Sequence, residues 1–142
     1  MQKQQSLDSL GLEMAILVRR LTSIASDKKM GNLDRSAYLL LHQICAYGCS
    51  GVKALADALH LDISTVSRQA AALEHKGYVY RIPDPQDGRA YSLHITDLGK
   101  QELVHYKQAR SDRLKELLQD WTDEECQMFA ELLRKFNLTI KQ

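Results

Sequence analysis

Apolar residues follow helical spacing over most of the chain. From Leu7 to Ala25 they recur at alternating steps of three and four, which predicts one helix with a single apolar stripe. Because an isolated amphipathic helix is only marginally stable in water, the stripe must pack, either within the chain or against a second copy. A second helix is predicted from Arg35 to Tyr47, with Asp34 as its N-cap. Its apolar residues lie nearly all round, so we expect it to be central and buried.

The middle of the chain predicts a helix-turn-helix followed by a β-hairpin. Val52 to Leu59 and Ile63 to Leu73 both have helical apolar spacing, and three residues join them. Aromatic and branched residues then fill Tyr78–Ile82 and Tyr91–Ile95, on either side of a segment with two prolines and the turn pair Asp87-Gly88. A helix-turn-helix with such a hairpin is a winged helix, an architecture whose second helix enters the major groove of DNA.

Two further helices are predicted in the C-terminal third. A long helix runs from about Asp97 to Gln119 with Thr96 as its N-cap, and the last begins at a capping box, Thr122 to Glu125, with Trp121 and Cys126 placed as a hydrophobic staple. Neither terminal region can bury its apolar stripe against so small a central domain, so we expect both ends to pack together across a two-fold axis. The expected dimerisation residues are Leu7, Leu10, Met14, Leu17, Leu114, Leu118, Phe129, Leu132, Leu133 and Phe136.

The expected fold is mainly α with a small β-hairpin wing. A winged helix-turn-helix DNA-binding domain would occupy residues 35–95, and residues 1–34 and 96–142 would form a helical dimerisation region. The longest apolar run, Ala37–Leu41, is far shorter than the roughly 20 residues that cross a bilayer, so no membrane partner is expected. A polar start and only three cysteines favour a reducing, cytoplasmic location. The net charge of +1 does not by itself indicate nucleic acid.

Candidate DNA contacts lie on one side of the second helix of the helix-turn-helix. If Ile63, Val66, Ala70 and Leu73 face the core, the opposite side carries hydroxyl groups and a single arginine. Arg68 can pair bidentately with a guanine edge, and Ser64 and Thr65 can hold phosphates or bases. The other candidates are Ser67 and Gln69 on the flanks and His75 at the end. An ordinary solvated helix face is the competing interpretation.

The hairpin tip supplies a second candidate contact. Arg89 follows the Asp87-Gly88 turn, where a protruding loop would bring its guanidinium to the adjacent minor groove, which is narrow and electronegative over A·T tracts. Asp87 can fix the direction of that guanidinium. A plain surface salt pair is the alternative, and such pairs stabilise little.

Several short motifs run through the central half of the chain. They are Leu55-Ala56 with Leu59, Ser64 to Arg68, Leu73-Glu74, Gly77 to Arg81, Asp84-Pro85, Asp87-Gly88-Arg89, Leu93, Ile95-Thr96 and Gly99. Together they resemble the MarR family of bacterial transcriptional regulators. The resemblance implies an obligate homodimer with interlocked terminal helices that binds a pseudo-palindromic operator on double-stranded DNA. It also implies that Arg68 contacts the major groove and that Asp87 and Arg89 serve the wing. The chain departs from the family at Gly88, where many members have a second basic residue.

The resemblance further implies a small phenolic or lipophilic effector in the crevice between the dimer helices and the winged helix. Candidate ligand residues are Tyr38, His42, Cys45 and Tyr106, although aromatic residues at helical spacing are more often part of a core. The chain is then expected to be a repressor that this effector releases from DNA.

A thiol- or metal-responsive regulator of the same fold is one alternative. His42, Cys45 and Cys49 fall at helical spacing, and His105 lies on the long helix, but this is not a recognised zinc signature, and no metal or cofactor is assigned. A winged-helix protein-interaction module without DNA binding is another alternative. An enzyme is not expected, because the chain lacks a Gly-rich phosphate loop, a His-Glu-x-x-His pair and a nucleophile elbow.

Overall fold

Eight of the nine elements in the described part of the chain follow the predicted order. The computed structural model describes residues 2–25, 33–48 and 50–140. The elements are α1 (Gln2–Ala25), α2 (Arg35–Tyr47), β1 (Ser50–Gly51), α3 (Val52–Leu59), α4 (Ile63–His75), β2 (Val79–Pro83), β3 (Tyr91–Ile95), α5 (Asp97–Leu117) and α6 (Asp123–Thr139). The mainly α fold with a β-hairpin is therefore confirmed. Differences from the predicted ends are small: α1 begins five residues earlier, and α5 ends two residues sooner.

Side-chain caps explain why three of the helices begin where they do. Asp34 and Thr96 each accept a hydrogen bond from the backbone N–H three residues further on, at 2.8 and 3.0 Å. Before α6, Thr122 and Glu125 form the predicted capping box, with donor–acceptor distances of 2.9 and 3.1 Å. Each cap satisfies an N–H that the helix itself leaves unpaired, so these predicted helix starts are confirmed.

The wing belongs to a three-stranded antiparallel sheet with strand order β1-β3-β2. Val79 pairs with Ile95 at the base of the hairpin, and the ladder ends where Pro83 lies opposite Tyr91, before the wing loop. The short strand β1 pairs along the other edge of β3, with Ser50 opposite Leu93. The sequence pattern does not predict β1, because two residues are too short to display the alternation of a strand.

The core is built around α2, as its pattern predicts. Leu40, Leu41 and Ile44 are buried, and α2 packs against α3, α4, α5 and β3. Leu33, just before α2, is buried as well. The remaining buried apolar residues come from the helix-turn-helix, the hairpin and the first half of α5; they are Leu55, Ala56, Val66, Ala70, Leu73, Tyr78, Val79, Leu93, Leu103 and Tyr106. Ile63 was expected in this core, and that prediction is wrong, because its residue surface is 52% exposed.

The two terminal helices contribute little to this core. On α6 every side chain is exposed except the half-buried Cys126, and on α1 only Met14 is half-buried among residues 2–21. The ring centre of Trp121 lies 5.5 Å from that of Phe129. Phe129 is three residues beyond Cys126, the residue predicted to form the hydrophobic staple with Trp121. Within the described ranges, no helix combines the length and apolar character needed to cross a membrane.

Candidate nucleic-acid interface

Helix α4 is buried on one side and open on the other. Val66, Ala70 and Leu73 are almost completely buried. On the opposite side Ser64, Arg68 and His75 are exposed, whereas Thr65, Ser67 and Gln69 are half-buried on the flanks. With about 100° between successive residues, this is the arrangement of a helix that is fixed to a domain and presents its outer face to a partner.

Arg68 is the cation at the centre of the outer face of α4. Its Nη2 donates to Thr65 Oγ1 at 3.4 Å, a long hydrogen bond within the same helix. Within the described ranges, Arg68 lies in no ion pair. Because the guanidinium carries five N–H donors, one long contact leaves most of them free to meet a carbonyl, a ring nitrogen or a phosphate.

The turn before α4 is held by backbone hydrogen bonds and has no side-chain cap. His60 ends α3 in the left-handed conformation, with φ 56°, and the Leu61 N–H returns to the Ala56 carbonyl at 2.9 Å. Asp62 is the N-cap residue of α4, but its carboxylate accepts no capping hydrogen bond; its backbone carbonyl accepts the helical bond from Val66 at 3.1 Å. The carboxylate therefore remains exposed at the start of the helix.

The wing loop is held by backbone and carboxylate hydrogen bonds. Asp84 and Ala90 close it through an N–H···O bond of 3.0 Å, and Asp84 Oδ1 also accepts from the Gln86 N–H at 2.9 Å. Asp87 Oδ1 accepts from the backbone N–H of Arg89 at 3.0 Å. The prediction that this carboxylate orients the guanidinium of Arg89 is wrong, because it fixes the backbone instead and forms no ion pair with Arg89. The Arg89 side chain is exposed at the tip.

An ion pair that sequence analysis missed joins α4 to the wing. Arg81 Nε, on β2, donates to Glu74 Oε1 near the end of α4 at 2.8 Å. The guanidinium carbon also lies 4.4 Å above the centre of the Tyr91 ring on β3. The available signal was a basic residue two positions after the buried Val79, on the same face of the strand, with an acidic residue seven positions earlier.

A second junction joins the hairpin to α5 at a glycine. Thr96 Oγ1 donates to the Gly77 carbonyl at 2.6 Å, and the Thr96 N–H donates to the Tyr78 carbonyl at 3.0 Å. An added Cβ on Gly99 would overlap the Tyr78 carbonyl oxygen and lie 2.8 Å from a side-chain carbon of Ile95. Only glycine allows α5 to approach the Tyr78 backbone this closely without a shift of the helix. The sequence signal for this junction is Thr96 followed three residues later by Gly99.

Tyr78 is the group whose acidity the fold changes at this junction. The side chain is buried, and burial raises the pKa of the Tyr78 phenol above its usual 10.0, since the phenolate would be poorly solvated. The nearby carboxylate of the buried Glu102 raises that pKa further by repelling the phenolate. The tyrosine is therefore a neutral structural residue at physiological pH.

The candidate ligand residues come together only in part. The rings of Tyr38 and Tyr106 stack at 4.0 Å, which joins α2 to α5, and the His42 ring lies 6.0 Å from that of Tyr38. Cys45 is exposed one turn further along α2. Cys49 lies outside the described residues. Among the described residues, no group of three or more His, Cys, Asp or Glu side chains is placed to hold a metal ion.

Comparison with known proteins agrees with this architecture. The sequence model of the MarR family matches residues 33–91. The HTH-type transcriptional regulator YxaD of Bacillus subtilis (strain 168) is 46% identical over 138 residues, which cover 96% of each chain.

Two solved structures superpose on most of the chain. A crystal structure of MarR, 25% identical, gives a TM-score of 0.74 over 91% of this chain and 88% of its own. A mutant MarR from E. coli, solved in complex with operator DNA, is 23% identical and gives a TM-score of 0.68 over 92% of this chain and 95% of its own. The family match and the nearly full-length similarity to YxaD establish that this chain belongs to the MarR family of helix-turn-helix transcriptional regulators.

Proposed function

We propose that this protein is a homodimeric repressor that binds a pseudo-palindromic operator and is released by a small-molecule effector. The observation that carries the proposal is the outer face of α4, where Arg68 and Ser64 are exposed opposite a fully buried side. The operator DNA bound by the similar E. coli MarR structure supports this choice of partner. In the same proposal, residues 35–95 bind DNA, and residues 1–34 and 96–142 form the dimer.

Arg68 is the proposed base-reading residue in the major groove. A guanidinium can donate to both N7 and O6 of one guanine, which a hydroxyl group cannot do. Ser64 and Thr65 would contact phosphates or bases in the first turn of the helix, and Ser67, Gln69 and His75 would contact the flanks. The half-burial of Ser67 and Gln69 supports a flanking position.

Arg89 is the proposed minor-groove contact. The hydrogen bond from its backbone N–H to Asp87 shapes the turn that carries it, while its side chain stays exposed. Arginine is favoured in narrow minor grooves because their electrostatic potential is strongly negative. Asp87 then acts by shaping the turn, which is a smaller role than a direct contact with DNA.

The dimer interface is proposed on the exposed apolar stripes of the terminal helices. Phe129 and Leu132 on α6 are 46% and 57% exposed in the single chain, and Leu7 on α1 is 49% exposed. Apolar surface on this scale marks an interaction site in soluble proteins, and a closed two-fold pair covers both copies equally. The other proposed residues are Leu10, Met14 and Leu17 on α1, Leu133 and Phe136 on α6, and Leu114 and Leu118 at the end of α5; Met14 and Leu118 are half-buried in the single chain.

The effector site is proposed beside the stacked rings of Tyr38 and Tyr106. These rings join α2, at the centre of the proposed DNA-binding domain, to α5, which belongs to the proposed dimerisation region. A phenolic compound that inserted there would change the angle between the two regions. A 4-hydroxybenzoate titration tests this: operator affinity should fall in the parent and change less in Tyr38→Leu. An equal response of both proteins would refute this location.

DNA binding is tested by fluorescence anisotropy with the promoter next to the gene, at two salt concentrations. Arg68→Ala should weaken binding roughly ten- to hundredfold and relax the preference at one base pair, since a bidentate base contact is lost. Arg113→Ala is the matched control, because it removes an exposed arginine on α5 that is paired with Glu116. Equal binding by the parent and Arg68→Ala would refute the assignment of Arg68.

The dimer is tested by sedimentation equilibrium at micromolar concentration. The parent should sediment as two subunits, and Leu132→Glu should shift the protein towards single subunits because it buries a charge at the proposed interface. Leu12→Glu is the control, since Leu12 is 62% exposed and points away from the α1 stripe. A parent that sediments as one subunit would refute the dimer.

Action in the cytoplasm, where the chromosome is accessible, belongs to the same proposal.

A further inference from the structure

Ile63 is exposed at the first residue of α4, although its spacing places it near the buried stripe. Relative to Val66 it is rotated by about 60° round the helix axis, and it lies nearly one turn nearer the N-terminal end. The packing that buries Val66 therefore does not reach it. The outcome is an isoleucine that is 52% exposed beside the exposed Ser64.

The position of this side chain is more informative than its exposure, since single exposed aliphatic residues are ordinary on protein surfaces. Side chains of an α-helix lean towards its N-terminus, so Ile63 extends beyond the end of α4. That end is the one from which helix-turn-helix proteins contact base edges. Isoleucine at a helix start offers neither capping nor a high helix propensity, so helix stability does not account for it.

The surroundings of Ile63 favour an apolar group on a base over the phosphate backbone. The preceding Asp62 has an exposed carboxylate without a capping hydrogen bond, and this negative charge disfavours close approach of a phosphate. Thymine is the base that presents a methyl group in the major groove. We propose that Ile63 contacts the 5-methyl group of a thymine in each half-site, and that it selects thymine at that position. This inference rests on the proposed DNA-binding function.

The experiment compares thymine with deoxyuridine, which lacks only the 5-methyl group. Operator duplexes carry deoxyuridine at one thymine position of a half-site at a time, and anisotropy gives their affinities for the parent and for Ile63→Ala. At one position the parent should bind the deoxyuridine duplex about fourfold more weakly, as expected for losing one buried methyl contact. Ile63→Ala should bind the two duplexes equally at that position, and Ile63→Val should keep most of the difference.

Ile82→Ala is the matched control, because Ile82 on β2 is 43% exposed and loses the same atoms. The Ile82→Ala protein should keep the parent's full difference in affinity between the thymine and deoxyuridine duplexes. If Ile63→Ala keeps that difference at every position, or if the parent shows none, the role of Ile63 is refuted while the proposed function stands. If the parent binds no duplex at all, both proposals are refuted.

Discussion

Gly99→Ala is the substitution whose cost the structure defines most directly. The added Cβ would overlap the Tyr78 carbonyl oxygen, lie 3.1 Å from the Tyr78 carbonyl carbon and lie 2.8 Å from Ile95 Cγ1. The carbonyl cannot easily move away, because it accepts the Thr96 N–H at 3.0 Å and belongs to the junction of hairpin and helix. Relief of the overlap therefore requires a shift of α5 relative to the sheet.

Two opposing contributions determine the free energy of unfolding of this variant. Overpacking of a rigid site typically costs about 1–3 kcal/mol. Replacing a glycine within a helix by alanine gains at most about 1 kcal/mol, and less in the first turn. Since the clash is with backbone atoms, the cost should exceed the gain. We expect a net loss of about 1–2 kcal/mol, which corresponds to a fall in Tm of roughly 3–7 °C for a chain of 142 residues.

Circular dichroism melting measures this difference, at one fixed protomer concentration because association would itself shift Tm. Gly88→Ala is the matched control, since an added Cβ there meets no atom within 4 Å and its φ is not positive. The control should be as stable as the parent or slightly more stable. A Gly99→Ala protein that melts at or above the parent temperature would refute the argument from close approach.

Three further predictions concern the core, the wing junction and alkaline pH. Leu41→Ala should lower the free energy of unfolding by about 2–5 kcal/mol in urea, because Leu41 is fully buried; a loss near zero would contradict the central place of α2. Arg81→Met should lower the free energy of unfolding by less than about 1 kcal/mol, because the ion pair with Glu74 is more than a third exposed. It should nevertheless speed proteolysis in the wing loop, and an unchanged cleavage rate would refute the role of this ion pair in holding the wing against α4. The raised pKa of Tyr78 means that its neutral form stabilises the fold below pH 10 and that this contribution is lost as pH rises through the folded-state pKa. Tyr78→Phe should therefore lose less stability than the parent between about pH 9 and 11 in melting experiments, and parallel losses would refute this.

Local signals explain how much of the fold sequence analysis predicted. The bounds of α2 and α3 and the capping box before α6 follow from apolar spacing and from capping side chains within four residues. Such signals act over one helical turn, so they do not depend on the rest of the molecule. The candidate contacts on α4 belong to the same class, because the helical period alone places Arg68 opposite Val66.

Tertiary contacts explain what was missed. Exposure of Ile63 depends on where the packing against α4 ends, and helical spacing carries no information about that limit. The bond between Arg81 and Glu74 joins two different elements, so it appears only when the hairpin is placed beside the helix. The Asp87 carboxylate could accept a hydrogen bond from either the backbone N–H or the guanidinium of Arg89. In this turn conformation it accepts from the backbone N–H.

The arrangement of the wing junction has a consequence for salt dependence. Arg81 lies between the base of the wing and α4, but its charge is paired with Glu74 and covered by Tyr91. A cation that already has an anionic partner releases fewer counterions from DNA, so Arg81 should contribute mainly by positioning the wing. Arg68 and Arg89 have no such anionic partner in the described part of the chain, and each would release about one counterion from DNA on binding. Removing either arginine should therefore make the negative slope of log affinity against log salt shallower by about one per subunit, whereas removing Arg81 should lower affinity with little change in slope.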